Sequence, residues 1–171
     1  MNKTKNKYLL IIVETRKNAN TDDAYIKETI RRFYPGPHDF IPKFIYMKSK
    51  SAFNSRDVGR EIKEYVSLSN VIGIVQCIDL DDYDISIADT KLNNKIEAHC
   101  QKEHYDLVWF CKNVEDVYYF NTEIEKNRKV NKAKQFVKNK KIEGVNEANL
   151  RSEAYSKRHS NILTVLDKYY K

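Results

Sequence analysis

The chain has 171 residues, a mass of 20.2 kDa and a formal net charge of +7. That length suits one α/β domain with a short extension and excludes two full domains, and with 41% hydrophobic and 32% charged residues the chain can bury a core, which excludes wholesale disorder. No uncharged stretch approaches the roughly 20 apolar residues of a membrane-spanning helix.

Residues 8–13 (YLLIIV) form a continuous aliphatic run, the pattern of a strand buried on both faces. Lys3, Lys5 and Lys7 imitate the start of a signal peptide. Glu14, Arg16 and Lys17 stop the apolar run early and no small-residue cleavage site follows, so the chain reads as cytoplasmic. Thr21 is expected to cap a helix with Asp22 and Asp23 in its first turn and Ile26, Ile30 and Phe33 at helical spacing, ended by Pro35, Gly36 and Pro37. Residues 43–47 (KFIYM) read as a second strand, 48–56 as a polar loop, and 57–68 as a helix burying Val58, Ile62, Tyr65 and Val66.

Two further apolar runs, residues 71–78 (VIGIVQCI) and 106–111 (DLVWFC), read as the third and fourth strands, separated by an acidic loop and a helix over 93–103. Beyond Glu115 the pattern is helical. Val130, Ala133 and Val137 are expected on one apolar face, and Ile162, Val165, Leu166 and Tyr169 recur in a closing helix. Strands alternating with helices predict a Rossmann-like α/β fold: a mostly parallel four-stranded sheet flanked by helices, with right-handed crossovers. Residues 1–125 would make this domain, and residues 126–171 a basic helical extension packed on it.

Cys77, Cys100 and Cys111 are an odd number at unrelated spacings and are expected as reduced core thiols. The spacing of His99, Cys100 and His104 fits neither a Cys-x-x-Cys pair nor a His-Glu-x-x-His helix. Gly36, Gly59, Gly73 and Gly144 stand isolated, so no glycine-rich loop of the ATP- or NAD-binding kind is present.

The acids carry more information through their positions. Glu14 abuts the first strand. Asp79, Asp81, Asp82 and Asp84 directly follow the third, and Glu115 and Asp116 lie four residues past the fourth. In a parallel sheet these strand ends share the carboxyl edge, where open α/β folds bind ligands. Carboxylates gathered there repel one another and lose hydration, so they need a counter-charge or must take up protons. A hard divalent cation answers that need, and strand alternation would point Asp79 and Asp81 the same way to offer oxygens to Mg²⁺. Acids after strands are also ordinary turn and cap residues. Tyr83 and Asp84 stand where a calcium loop needs a third oxygen ligand and a glycine, which excludes an EF-hand.

A hydrophobic strand ending in Glu (residues 9–14, LLIIVE), a helix with acids in its first turn, and a later strand ending in Asp-x-Asp (residues 71–81, VIGIVQCIDLD) together resemble the Toprim domain. Residues 113–120 (NVEDVYYF) resemble the third acidic element of the OLD-like and RloB-like Toprim proteins of bacterial defence systems. Thr15 stands where the family usually carries glycine. The resemblance implies a stand-alone, metal-dependent nuclease. In it Asp79 and Asp81 would hold Mg²⁺ or Mn²⁺, Glu14 would position the attacking water or act as general base or acid, and Glu115 would complete a second metal position. It also implies nucleic acid as substrate and a partner protein of a defence system.

Charge is uneven along the chain. Residues 126–171 carry 13 Lys and Arg against 4 Asp and Glu, whereas residues 1–125 carry 18 against 20. The run containing Lys126, Lys132, Lys134 and Lys138 could track a phosphate backbone, and it fits a solvated helix equally well. Lys48, Lys50 and Arg56, in the loop after the second strand, are expected on the same edge as the acids, where they could guide nucleic acid with Phe53 stacking on a base, and the loop fits a mobile connection somewhat better. The alternative to a nuclease is a non-catalytic module that binds nucleic acid or a protein through the basic C-terminal helices.

Overall fold

A computed structural model describes residues 6–17, 21–119 and 128–171. Four strands, β1 (Lys7–Val13), β2 (Ile41–Tyr46), β3 (Asn70–Asp79) and β4 (Asp106–Phe110), form one sheet in the order β2-β1-β3-β4, with every neighbouring pair parallel. The fold is the expected Rossmann-like α/β arrangement, with helices on both faces.

Alternation along β1 divides the core. Leu9, Ile11 and Val13 face one layer with Val75, Cys77 and Val108, packed against α1 (Asp22–Phe33), α4 (Val114–Tyr118), α5 (Lys129–Lys138) and α6 (Ile162–Tyr170). Leu10 and Ile12 face the other layer with Ile45, Ile78 and Trp109, covered by α2 (Arg56–Leu68) and α3 (Ile87–Glu103). Residues 9–13 of β1 are wholly buried, which is why that strand has no polar face in the sequence. Cys77, Cys100 and Cys111 are buried free thiols.

Several local expectations shift. Thr21 starts α1 through its backbone, but its hydroxyl bonds Asp22 Oδ1 at 3.2 Å instead of capping a helix N–H. α3 begins at Ile87, six residues earlier than expected, because the Ser86 hydroxyl accepts the Asp89 N–H at 3.2 Å. The apolar face of α5 is Ala133 and Phe136, with Val130 and Val137 exposed. Phe136 sets that rotation by lying 4.8 Å from the Tyr25 ring and close to Tyr118 and Tyr119.

The loop after β2 contains a 3₁₀ turn (Lys50–Ala52) that folds Phe53 inward, edge-on to His99. Phe53 is core and is not presented for stacking on a base. The expected boundary between residues 125 and 126, and Lys126 itself, lie outside the described residues. α5 and α6 share the core of the sheet that they cover. Among the described residues, no helix is long and apolar enough to cross a membrane.

Candidate functional site

Parallel strands place Glu14, Asp79 and the turn after β4 on one edge, and backbone groups then lock the carboxyls. β1 ends at Val13, and Glu14 Oε1 accepts the N–H of Asp79, the last residue of β3, at 2.7 Å. Asp79 Oδ1 in turn accepts the Val114 N–H at 2.9 Å. That N–H belongs to the first residue of α4, whose cap Asn113 holds the Asp116 N–H, so the helix start is fixed against the end of β3. Glu115, next along, is 2% exposed; Lys129 Nζ donates to its Oε2 at 2.9 Å, while its Oε1 has no partner.

A fourth carboxyl, Asp22, joins this set from the first turn of α1. By sequence it is only an acid favoured at a helix start. It is 7% exposed and lines a cleft of about 480 Å³ together with Glu14, Asp79, Lys48 and Lys129. Its place directly after the loop that leaves β1 was the available signal, because the first βα connection of a parallel sheet ends on the carboxyl edge.

Burial and mutual repulsion govern these groups. Desolvation pushes the Glu14 carboxyl up to about 8; Asp22 and Asp81 add to the rise, and the Asp79 N–H and Lys50 oppose it. Desolvation, then Glu115, raises Asp22 to about 7 against the Thr21 hydroxyl and Lys129. Asp79 is held well above the carboxylate range by desolvation and by Glu14, Asp22 and Glu115. Lys129 loses hydration by burial, yet its neighbours Glu115, Asp79 and Asp22 raise its pKa overall.

Asp81 departs from the expected arrangement. β3 stops at Asp79, and Asp81 turns away at a left-handed φ of +52° with its N–H on the Lys112 carbonyl. Its side chain is 48% exposed and its Oδ2 accepts from Lys50 Nζ at 2.7 Å. Asp79 and Asp81 therefore do not act as a pair projecting from one strand face.

Lys50 departs too. It is 7% exposed, and its ammonium spans the Asp79 carbonyl and Asp81, so it is an internal counter-charge instead of a guide for nucleic acid. A polar loop without periodicity gave no sign of this. Lys48 is exposed and lines the cleft at φ +73°; Arg56 opens α2, exposed, and does not line it. Lys48, Asp81 and Lys112 make left-handed exits from β2, β3 and β4, the kind of backbone strain that collects at functional edges. Lys134 and Lys138 are exposed on α5. Lys132 is half-buried, and with Lys141 it flanks the Tyr119 ring.

Among the described residues, no three His, Cys, Asp or Glu side chains converge as a ready-made metal-holding group. The acids are nevertheless all oxygen donors, with Arg16, Lys48 and Lys129 on the same cleft wall, and one Glu115 oxygen is buried without a partner. Mg²⁺ takes one or two carboxylates and completes its shell with water and phosphate oxygens. The residues present fit that manner of binding and do not form a closed protein cage. No family model, no curated protein and no solved structure matches the chain.

Proposed function

We propose that this chain hydrolyses phosphodiester bonds of nucleic acid with the help of Mg²⁺ or Mn²⁺, as the resemblance to Toprim nucleases implies. One observation carries the reading: Glu14, Asp22 and Asp79 come from separate elements to line one cleft at the carboxyl edge, Asp22 buried and the other two partly so, where desolvation and mutual repulsion raise the pKa of each. A purely structural buried acid is normally paired or neutral and alone. Glu14 and Asp79 would hold the cation, with Glu115 as a further oxygen donor. When bound, it supplies a Lewis acid for the phosphate and lowers the pKa of a bound water.

The chain's own residues supply the rest. The Asp79 N–H orients Glu14, and the Val114 N–H orients Asp79. Glu14, oriented in this way, would also position the attacking water or exchange a proton with it. Lys48, on the cleft wall, meets phosphate. Asp81 keeps Lys50 in place and is not assigned a direct part in the reaction.

The test is incubation of the purified chain with tRNA, single-stranded RNA, plasmid and single-stranded DNA, in Mn²⁺, Mg²⁺ or EDTA, beside Asp79→Asn. Cleavage that needs the metal and disappears in the variant is the expected result. Metal-independent cleavage, or full activity in Asp79→Asn, overturns it. A second reading, binding without catalysis, is favoured by one feature: Lys50 and Lys129 already neutralise Asp81 and Glu115. It predicts salt-sensitive binding that ignores metal, and no cleavage in the panel.

A further inference from the structure

The two lysines among the acids are held differently. Lys50 is buried and bonded twice, to a backbone carbonyl and to Asp81. Lys129 makes one contact with Glu115; its side chain is 32% exposed and lines the cleft, while that of Glu115 is 3% exposed. The other Glu115 oxygen has no partner, so the pair is incomplete on the acid's side. Lys129 is also the first residue of α5, with Lys132 one turn further on, so the basic ridge of the extension reaches the acidic cleft at this residue.

We propose that Lys129 is an exchangeable partner of Glu115: a phosphate oxygen of the nucleic-acid backbone draws the ammonium off the carboxylate and takes its place. The inference rests on the reading of the chain as one that acts on nucleic acid, and it adds the residue that couples substrate to the acids. An ammonium forms a charge-assisted bond with phosphate as readily as with a carboxylate. Its departure leaves Glu115 with two free oxygens in a buried place, a state that favours a divalent cation. Phosphate and cation then each tighten the binding of the other by the same factor, as linkage requires.

The experiment measures anisotropy of a short, labelled, phosphorothioate-linked single-stranded DNA and its RNA counterpart in EDTA over a salt series. Glu115→Gln frees Lys129 and is expected to tighten binding about fivefold, the worth of roughly one exposed charged contact. Lys129→Gln weakens it by a similar factor and lowers the slope of log Kd against log salt by about 0.7. The double variant should match Lys129→Gln. Ca²⁺ added to the wild type should tighten binding, and Lys129→Gln should lose that gain, which gives a readout even where Glu115→Gln folds poorly.

Unchanged or weaker binding by a folded Glu115→Gln, or a Ca²⁺ gain that survives in Lys129→Gln, overturns the exchange. If that happens while the nuclease panel still shows metal-dependent cleavage, only the exchange falls. If no variant binds either oligonucleotide at low salt, the nucleic-acid reading falls with it. Tightening by Glu115→Gln in a chain that cleaves nothing supports the exchange and moves the protein to the binding-module reading.

Discussion

Asp167 and Asp79 are the same side chain in one chain, and their surroundings drive them in opposite directions. On α6, Asp167 accepts from the Tyr34 hydroxyl, Arg151 and Lys171. Partial burial alone would raise its pKa; those three bonds outweigh it and bring the carboxyl down to about 2. At the carboxyl edge, Asp79 has a backbone N–H on one oxygen and acids on several sides, so its pKa rises. Where a carboxylate only has to tie α6 to the end of α1 and to Arg151, the chain surrounds it with donors. At the carboxyl edge the acids sit close enough to raise one another's pKa, at a cost in stability that structural carboxylates such as Asp167 avoid.

The strongest way to break this comparison is to neutralise the edge. Asp79→Asn and Glu14→Gln keep the oxygens that accept the Val114 and Asp79 N–H groups, so the fold should survive. Cleavage should fall about 10³-fold or more, read as initial rate beside far-UV circular dichroism. Wild-type turnover in both variants would remove the edge as the reacting site.

Asp167→Ala should do the reverse, leaving turnover per folded molecule unchanged. It removes the bonds of Tyr34 and Arg151 to the carboxylate and leaves the Tyr34 hydroxyl on the Leu163 carbonyl and Arg151 on Glu147, a loss of about 1 kcal/mol, or roughly 2–4 °C in Tm for a chain of this size. The stability supplied by Asp167 is present above its unfolded pKa near 3.8 and is lost as pH falls toward about 2. An Asp167→Ala protein that melts like the wild type at pH 7 would show that the network contributes little.

Proton linkage has the opposite sign at the edge. Glu14 and Asp22 bind protons more tightly folded than unfolded, with folded values of about 8 and 7 against ordinary values of 4.5 and 3.8. Stability is therefore greatest below the ordinary values and declines as pH rises through the folded ones. In EDTA, Tm should drop between pH 5 and pH 8. Glu14→Gln should flatten that drop, and Mg²⁺ or Mn²⁺ should restore more at pH 8 than at pH 5 by mass action. A Tm that climbs steadily across this range would contradict the charge balance drawn for the cleft.

The smallest change is expected on the basic ridge. Lys134→Gln and Lys138→Gln, both exposed on α5, should each weaken oligonucleotide binding only two- to threefold and trim the salt slope by about 0.7 for each phosphate no longer neutralised. Equal affinity and slope in the doubly substituted chain would assign these lysines to solvent alone.

The sheet was legible in the sequence because buried parallel strands leave unbroken apolar runs, and the acids after three of them followed from chain order. What escaped depended on packing between distant segments. Asp22 looked like any acid at a helix start, and only packing of α1 against β1 and α4 brings it beside Glu115. Lys50 and Phe53 sit in a loop with no period, where a single 3₁₀ turn decides that both go inward. Strand alternation does not reach Asp81, because β3 ends at Asp79 and Asp81 itself takes a left-handed turn, a conformation that Asp tolerates better than most residues. The face of α5 was misread by counting aliphatics when one aromatic residue, Phe136, had more area to bury.

The outer side of β4 is occupied by the chain itself: Ser160 bridges Phe110 in antiparallel fashion, and the Asn161 side chain bonds the backbone of Trp109 and Leu107. Among the described residues nothing pairs with the outer side of β2, where Pro42 removes one backbone donor. Among the described residues a further strand could therefore pair along β2 without displacing anything, whereas on the β4 side it would have to dislodge residues 159–161.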